Sequence, residues 1–282
     1  MSNEEVMNRL KTDIKLRGLS QNTFDDYVLK VSKFMSYFDC PVDQLGEPEV
    51  RKFLLYLCEN CNLTNGTVNT YNSAIRFLYR VTLNKILNLY QVPRLKQNRK
   101  LPQLLTPQEI LQVFDNTPNP MYRAIFMTIY GSGLRVSEAV NIRVEDIDSE
   151  KMRIFIRQGK GGCDRYATLS QKALEELRNY WKIARPKEFL FITRLKTKPC
   201  TRSVNYAFQA SLARAGINKR ATIHTLRHCF ATHLLDNNTS LFHIKTLLGH
   251  SSIKSTTWYL HLTDNATLKQ VTSPLDSMNL PE

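Results

Sequence analysis

The chain has 282 residues, 42% of them hydrophobic, and a formal net charge of +14. This length suits about two domains, and the apolar fraction excludes an intrinsically disordered protein. The basic excess indicates a polyanionic partner, either a nucleic acid or an acidic membrane surface. Apolar stretches such as 124–130 are too short to span a bilayer, and the N-terminus has no secretory signal pattern, so we expect no membrane association.

The six cysteines show no spacing typical of a disulfide framework, so we expect a reduced, cytoplasmic compartment. Cys58 and Cys61 form a Cys-x-x-Cys motif without a second pair beside it. Metal or redox chemistry is one interpretation of this motif, and two ordinary cysteines on a helix are the other. The missing second pair favours the ordinary helix.

Residues 1–92 are predicted to form a helical N-terminal domain. Ser20 is a predicted N-cap, and apolar residues follow it at helical spacing as far as Phe38. A second apolar face covers 50–58, and a third helix is predicted to begin after Thr64 or Asn65. The domain contains no convincing alternating strand.

Residues 93–104 are predicted to form a basic linker between two domains. The stretch VPRLKQNRKLPQLL, which begins at Val92, contains two prolines and has little periodicity. A basic run of this kind is either a solvated segment or a segment that contacts DNA phosphates, and we favour the contact with DNA. The residues expected to contact DNA are Arg94, Lys96, Arg99 and Lys100.

The predicted C-terminal domain covers 105–282 and begins with Thr106 as N-cap and Pro107 in the first helical turn. Alternation over 152–157 and 164–169, around the turn Q-G-K-G-G, predicts a β-hairpin. The predicted fold class is therefore mainly α, with a small antiparallel hairpin or sheet in the C-terminal domain. Helices are predicted at about 107–116, 121–130, 135–142, 170–183, 201–215, 224–236, 240–248 and 251–259.

All six histidines lie between His224 and His261, which suggests either a metal site or a phosphate site. His224 and His228 would share one helix face, whereas His233 would lie away from that face around the axis. No His-Glu-x-x-His pattern accompanies them, which disfavours a metal. Arg227 lies three residues after His224 and favours phosphate, because a guanidinium matches two phosphate oxygens.

Three further motifs carry candidate residues of the same chemistry. In G-S-G-L-R-V-S-E, Arg135 falls in a first helical turn and Glu138 could hold its guanidinium. Lys160 lies on the predicted hairpin tip, where an ammonium could protonate a leaving oxygen. His250 and Tyr259 belong to L-G-H-S-S-I-K-S-T-T-W-Y. Each residue alone is more often structural or solvated, so only their combination indicates a function.

In combination and in order, these residues resemble the signature of the tyrosine recombinase (phage integrase) family, and the match is close to its Xer-type and integron-type members. R-G-L-S-Q-N-T at 17–23 and K-L-P-Q-L-L-T-P-Q-E at 100–109 resemble the start of the core-binding domain and the junction into the catalytic domain. Two departures are Cys163, where many members carry a basic residue, and Trp258, which has no account beyond packing. The matching set is Arg135, Lys160, His224, Arg227, His250 and Tyr259.

The resemblance implies a two-domain DNA-breaking-rejoining fold, in which a helical, SAM-like core-binding domain precedes an α+β catalytic domain. Tyr259 would attack a phosphodiester and form a 3′-phosphotyrosyl bond. Arg135, Arg227 and His250 would stabilise the charge that develops on phosphate oxygens, and Glu138 would orient Arg135.

The resemblance also assigns the proton transfers. Lys160 would protonate the leaving 5′-oxygen, and His224 would assist proton transfer. Arg165, in the second strand of the hairpin, is expected to contact DNA. No metal and no cofactor is implied, because cationic side chains take the place of a metal ion.

The implied partners are double-stranded DNA with paired inverted-repeat sites and further copies of this chain. In a tetramer on DNA, the tail 262–282 would dock into a neighbouring protomer; the alternative is that it packs on its own domain. The expected function is site-specific recombination, as in integration, excision or transposition of mobile DNA at the nucleoid. The alternatives are a type IB topoisomerase-like relaxing enzyme, a non-catalytic DNA-binding protein and a metal-dependent nuclease.

Overall fold

A computed structural model of the chain describes residues 1–88, 91–96, 102–157, 164–249 and 252–261, without the side chains of Lys254 and His261. The chain divides into two compact units, Met1–Arg99 and Lys100–Glu282. Both units are mainly helical, and the described strands form one three-stranded antiparallel sheet in the second unit. The predicted fold class is confirmed.

The first unit is built from amphipathic helices, and its predicted helix starts are confirmed. The Ser20 and Thr64 hydroxyls accept hydrogen bonds from backbone amides in the first turns that follow them. The last helix of the unit continues into a π-helical turn, Leu78–Thr82. The α-helices are α1 (Asn3–Leu16), α2 (Gln21–Met35), α3 (Glu47–Glu59) and α4 (Asn65–Phe77).

The core of the first unit lies between α4 and the helices packed on it. Helix α4 packs against α2 and α3, and α1 packs against α2. Phe53 makes edge contacts with Phe34 and Tyr71, at ring-centroid distances of 5.2 and 6.0 Å. The buried Tyr79 hydroxyl donates to the Leu45 carbonyl at 2.9 Å, so this polar group is satisfied inside the core.

The backbone of 92–96 lies along α4, although its composition predicts an exposed linker. Val92 is fully buried. Three asparagines on one face of α4 hold the following residues through their side-chain amides. The bonds join Asn72 to the Pro93 carbonyl (3.1 Å), Asn69 to the Leu95 carbonyl and amide (2.8 and 2.9 Å), and Asn65 to the Lys96 carbonyl (2.8 Å). Arg94 and Lys96 remain exposed, whereas Arg99 and Lys100 lie outside the described residues.

The second unit is arranged around its second helix, α6, which packs against four other helices of the unit, α5, α8, α9 and α10. The helices are α5 (Pro107–Asp115), α6 (Pro120–Ser132), α7 (Val136–Ala139), α8 (Gln171–Ala184), α9 (Thr201–Arg214), α10 (Ile223–Asp236), α11 (Leu241–Leu248) and α12 (Lys254–Thr257). Thr106 is the N-cap of α5, as predicted, and forms a reciprocal capping box with Glu109.

Two predicted helices are too long. The helix predicted at 135–142 is only the single turn α7. Val140 and Ile142 are buried, as predicted, but they lie after the helix has ended. The helix predicted at 251–259 is α12 followed by a 3-10 turn, Trp258–His261. Apolar spacing indicates which residues are buried, but over so few residues it does not separate a helix from successive turns.

The predicted hairpin is confirmed, and one strand was missed. The sheet has the order β1 (Ile147–Asp148), β2 (Arg153–Ile156), β3 (Arg165–Thr168), with antiparallel pairing throughout. Ile154 pairs with Ala167, and both are buried. Met152 has a φ of 48° and belongs to the preceding turn rather than to the strand. The hairpin tip, 158–163, lies outside the described residues.

The described cysteines are free thiols. Cys58 is half-buried in α3, and Cys61 is exposed just beyond it. Across the described ranges, no group of three or more His, Cys, Asp or Glu side chains could hold a metal ion. No helix within those ranges has both the length and the apolar character that a bilayer crossing needs.

Candidate active site

Arg227 is buried inside the second unit, with only 1% of its surface exposed. It lies in the first half of α10, and its guanidinium donates to the carbonyls of Gly133 at 2.7 Å and Leu248 at 2.8 Å. These carbonyls belong to the C-terminal ends of α6 and α11, where the helix dipole favours a cation. Burial, reinforced by the charge of Arg135, lowers the pKa of Arg227 to about 10, so the group remains charged at neutral pH.

Glu138 joins three arginines through one buried carboxylate. Arg135 is the N-cap of α7, and both its backbone amide and its Nη1 donate to Glu138 at 2.8 Å. Arg165 donates from Nη1 and Nη2 at 2.9 Å, one bond to each carboxylate oxygen. Nη1 of Arg227 lies 3.7 Å from the same carboxylate. Burial alone would raise the pKa of Glu138, but the hydrogen bonds and charge of Arg165 and the hydrogen bonds of Arg135 outweigh it and lower the pKa to about 2.

Arg165 also contacts the end of α11. Gly249 caps that helix with a φ of 62°, in agreement with the end of the helix predicted at 240–248. A Cβ at position 249 would lie 2.6 Å from Cδ and 2.7 Å from Nε of Arg165. The Arg165 side chain therefore binds Glu138 and also packs closely against the backbone at Gly249.

Tyr259 lies in the 3-10 turn after α12 and is 2% exposed. Its hydroxyl is 3.2 Å from Nδ1 of His228 on α10. Burial raises the pKa of Tyr259, while the charge and hydrogen bond of Arg227 and the charge of Arg135 act in the opposite direction. The tyrosine hydroxyl and the buried arginine are thus parts of one site.

His224 lies one turn before His228 on α10, and the residue is exposed. The two rings meet edge to face, with centroids 4.7 Å apart. Partial desolvation, followed by the charges of Arg227 and Arg135, lowers the pKa of His224. The imidazole is therefore neutral at pH 7 and can either accept or donate a proton.

The structure brings together five of the seven residues predicted for catalysis and support: Arg135, Glu138, His224, Arg227 and Tyr259. The other two, Lys160 and His250, lie outside the described residues.

Sequence reasoning missed two contributors to the site, His228 and Trp258. The Trp258 ring lies 5.3 Å from the His228 ring and 5.7 Å from the Tyr259 ring, centroid to centroid. The four-residue spacing between His224 and His228 placed both on one face, and that spacing was the available signal for His228. Trp258 gave no such signal, because its contact depends on how the 3-10 turn packs on α10.

Two family models match the chain. The model of the Phage integrase family covers residues 103–266, and that of the Phage integrase, N-terminal SAM-like domain covers residues 6–89. The first match spans more than half of the chain. The chain therefore belongs to the phage integrase family.

Relatives agree with this assignment, and a solved structure shares the fold. The chain is 31% identical over 266 residues to tyrosine recombinase XerA of Thermococcus kodakarensis, covering 92% of this chain and 91% of the relative. It is 30% identical over 260 residues to a tyrosine recombinase of Pseudothermotoga lettingae, covering 88% and 90%. A lambda integrase tetramer bound to a Holliday junction has a similar fold, with a TM-score of 0.76, 18% identity and coverage of 94% and 78%.

The chain is thus a tyrosine recombinase of Xer-like type, an enzyme that cleaves and rejoins DNA site-specifically through a phosphotyrosine intermediate. This assignment is favoured over the topoisomerase alternative.

Proposed function

We propose that Tyr259 is the residue that takes the DNA phosphate, forming a 3′-phosphotyrosyl bond and freeing a 5′-hydroxyl. The position of its hydroxyl carries this proposal, because it lies beside the charge of Arg227 and 3.2 Å from His228. An isolated phenol with a pKa of about 10 is only about 0.1% ionised at neutral pH. A tyrosine nucleophile therefore needs cationic and proton-accepting neighbours of this kind.

Arg135 and Arg227 would neutralise the charge that develops on the non-bridging phosphate oxygens. Support comes from Glu138, whose carboxylate binds Arg135 and lies 3.7 Å from Arg227, so that both guanidiniums are oriented before DNA arrives. Preorganised donors of this kind stabilise a transition state without reorganisation during the reaction. His250 would add a third donor to the same oxygens, on the strength of its motif.

The proton transfers are assigned to two further residues. Lys160 would protonate the leaving 5′-oxygen, as the resemblance of its hairpin motif implies. His224 would assist proton transfer on the solvent-open side of the site, and its lowered pKa supports a neutral ring in this role.

The nucleophile assignment is tested by covalent capture on a nicked suicide duplex that carries the recombination site. Tyr259→Phe is expected to abolish the covalent adduct and to leave DNA binding near normal. Tyr180→Phe is the matched control, since Tyr180 is also buried in the second unit but bonds to the backbone of Ile192. A covalent adduct with Tyr259→Phe would contradict the assignment.

DNA contacts outside the active site are assigned to the linker. We propose that residues 1–92 form a core-binding domain and residues 105–282 form the catalytic domain. The linker between them would contact DNA phosphates through Arg94, Lys96, Arg99 and Lys100. The asparagine bonds along α4 support this, because they fix the backbone of 93–96 while Arg94 and Lys96 stay exposed. The contacts of Arg165 with Glu138 instead support a positioning role within the site.

The proposed assembly is a tetramer on DNA with paired inverted-repeat sites, in which the tail 262–282 docks into a neighbouring protomer. The lambda integrase tetramer on a Holliday junction supports it by analogy of fold. A chain truncated after Asp264 should bind one site normally and lose cooperative assembly on paired sites, as measured by gel shift. We further propose that the enzyme serves integration, excision or transposition of mobile DNA in the cytoplasm, at the nucleoid.

A further inference from the structure

His228 makes a hydrogen-bond contact with the hydroxyl of Tyr259. Its Nδ1 lies 3.2 Å from that oxygen, and the ring centroids of the two residues are 5.6 Å apart. Trp258 packs on the same imidazole at 5.3 Å, and the His224 ring meets its edge at 4.7 Å. The imidazole is therefore held by aromatic neighbours with one nitrogen directed at the tyrosine oxygen.

The attack on phosphorus requires that Tyr259 lose its proton. Arg227, the cationic neighbour of the hydroxyl, remains protonated and offers only donors, so it can stabilise a phenolate but cannot receive the proton. The tyrosine is 2% exposed, which limits proton transfer to bulk water. An imidazole whose Nδ1 lies at hydrogen-bond distance from the hydroxyl is the kind of group that completes this step.

We propose that His228 is the general base that deprotonates Tyr259, a catalytic residue in addition to those assigned above. In cleavage, the Tyr259 hydroxyl proton moves to Nδ1 of His228, whose Nε2 carries the second ring proton. The phenolate oxygen bonds to phosphorus as the bond from phosphorus to the 5′-oxygen breaks, and that oxygen takes its proton from the general acid. In rejoining, the imidazolium returns its proton to the departing tyrosine oxygen.

This assignment separates the roles of the two histidines on α10. His228 contacts the nucleophile and packs against Trp258, whereas His224 is one turn earlier and exposed. His224 can therefore reach a DNA phosphate or a leaving group without contact with the phenol. Trp258 also gains a function, since its ring limits the rotation of the His228 ring.

The proposal rests on Tyr259 being the nucleophile, and single-turnover cleavage of a nicked suicide duplex tests it. His228→Asn keeps a hydrogen-bond acceptor near the place of Nδ1 but removes its basicity. The expected loss of cleavage rate is on the order of 10²–10⁴-fold, the usual contribution of a general base. Site binding should stay near that of the wild type.

The matched control is His233→Asn on the same helix. Nδ1 of His233 lies 2.9 Å from the Tyr130 hydroxyl, so the substitution disturbs an equivalent histidine–tyrosine contact that lies outside the assigned catalytic set. Its cleavage rate should match that of the wild type. An equal loss with both variants would mean that His228 supports the fold only, which overturns the proposal.

Two chemical probes separate a base from an acid or a purely structural residue. A duplex with sulfur in place of the scissile 5′-oxygen has a leaving group that needs little protonation, so it should rescue Lys160→Ala but not His228→Asn. Incorporation of 3-fluorotyrosine at position 259 gives a phenol that ionises more readily, and should narrow the difference in cleavage rate between wild type and His228→Asn. Rescue of His228→Asn by sulfur, or a gap unchanged by fluorine, would overturn the proposal.

Failure of the base assignment is distinguishable from failure of the nucleophile assignment. If Tyr259→Phe still forms the covalent adduct, the nucleophile lies elsewhere and both proposals fail. If Tyr259→Phe abolishes the adduct while His228→Asn cleaves at the wild-type rate, only the role of His228 is wrong.

Discussion

At the scale of single residues, the site depends on one carboxylate that compensates several positive charges. Arg135 and Arg165 bind Glu138 directly, and the guanidinium of Arg227 lies close to it. Without the carboxylate, three cationic side chains would share a partly buried space, where like charges repel strongly. Glu138 therefore serves both the stability of the second unit and the orientation of the phosphate-binding arginines.

Glu138→Gln is expected to destabilise the protein at pH 7 by about 3 kcal/mol, which corresponds to the difference between an ordinary glutamate pKa of 4.5 and about 2. The pKa of Glu138 is lower in the folded state than in the unfolded state. This stabilisation is therefore present above the pKa of the unfolded state and is lost as the pH falls toward the pKa of the folded state. The gap between wild type and variant in urea unfolding should narrow from about pH 5 downward.

Glu145→Gln is the control for this experiment. The Glu145 side chain is 62% exposed and pairs with Arg157 at the surface, where an ion pair contributes at most about 1 kcal/mol. A Glu138→Gln variant that differs from the wild type no more than Glu145→Gln does would contradict the central role of Glu138.

At the scale of elements, strand β3 and helix α11 meet where Arg165 crosses Gly249. Gly249→Ala would add a methyl group 2.6 Å from Cδ of Arg165, in a backbone with a φ of 62°. The left-handed backbone costs about 1–2 kcal/mol for a residue other than glycine, and the contact must also displace Arg165. A shift of about 1 Å at a catalytic group can lower the rate 10²-fold, so the rate of covalent-adduct formation should fall by about 10²-fold.

Gly216→Ala is the control for Gly249→Ala. Gly216 has a φ of 70°, but a methyl group there would meet no atom within 4 Å. It should lower the unfolding midpoint and leave cleavage unchanged. Equal cleavage rates for the two variants would show that the contact between Arg165 and Gly249 does not position the site.

Local signals in the sequence predicted most of the helices, whereas the contacts between elements required the structure. Capping residues such as Ser20 and Thr106 act within one turn, so the sequence contains their whole effect. Strand β1 has two residues, too few for an alternating pattern. The asparagines of α4 bind a backbone more than 20 residues away, and nothing local distinguishes them from solvated asparagines.

The active site shows the same limit. Arg135, Arg227 and Tyr259 could be predicted as site residues from the sequence, because the family signature consists of such residues in this order. The partnership of Glu138 with Arg165 joins α7 to β3 and could not be selected in that way. In the sequence, this partnership is visible only as an arginine at a strand position, and such an arginine is equally consistent with a DNA contact.

The net charge of +14 does not identify which cationic side chains contact DNA. Each phosphate contact releases counterions, so the logarithm of the binding constant falls with the logarithm of salt concentration by about 0.9 per contact. A cation that is already paired inside the protein adds little to this slope. The salt dependence of binding therefore separates Arg94, which is exposed, from Arg165, which is bound to Glu138.

Arg94→Gln is expected to reduce the slope by about 1 and to weaken binding to all duplexes alike, as loss of one phosphate contact does. Arg165→Gln should leave the slope nearly unchanged and instead slow covalent-adduct formation, because it frees Glu138 and the Gly249 backbone. Filter binding of one duplex from about 50 to 200 mM salt measures both slopes. If Arg165→Gln reduced the slope as much as Arg94→Gln and left cleavage intact, Arg165 would be a DNA contact, as first expected from its position in the hairpin.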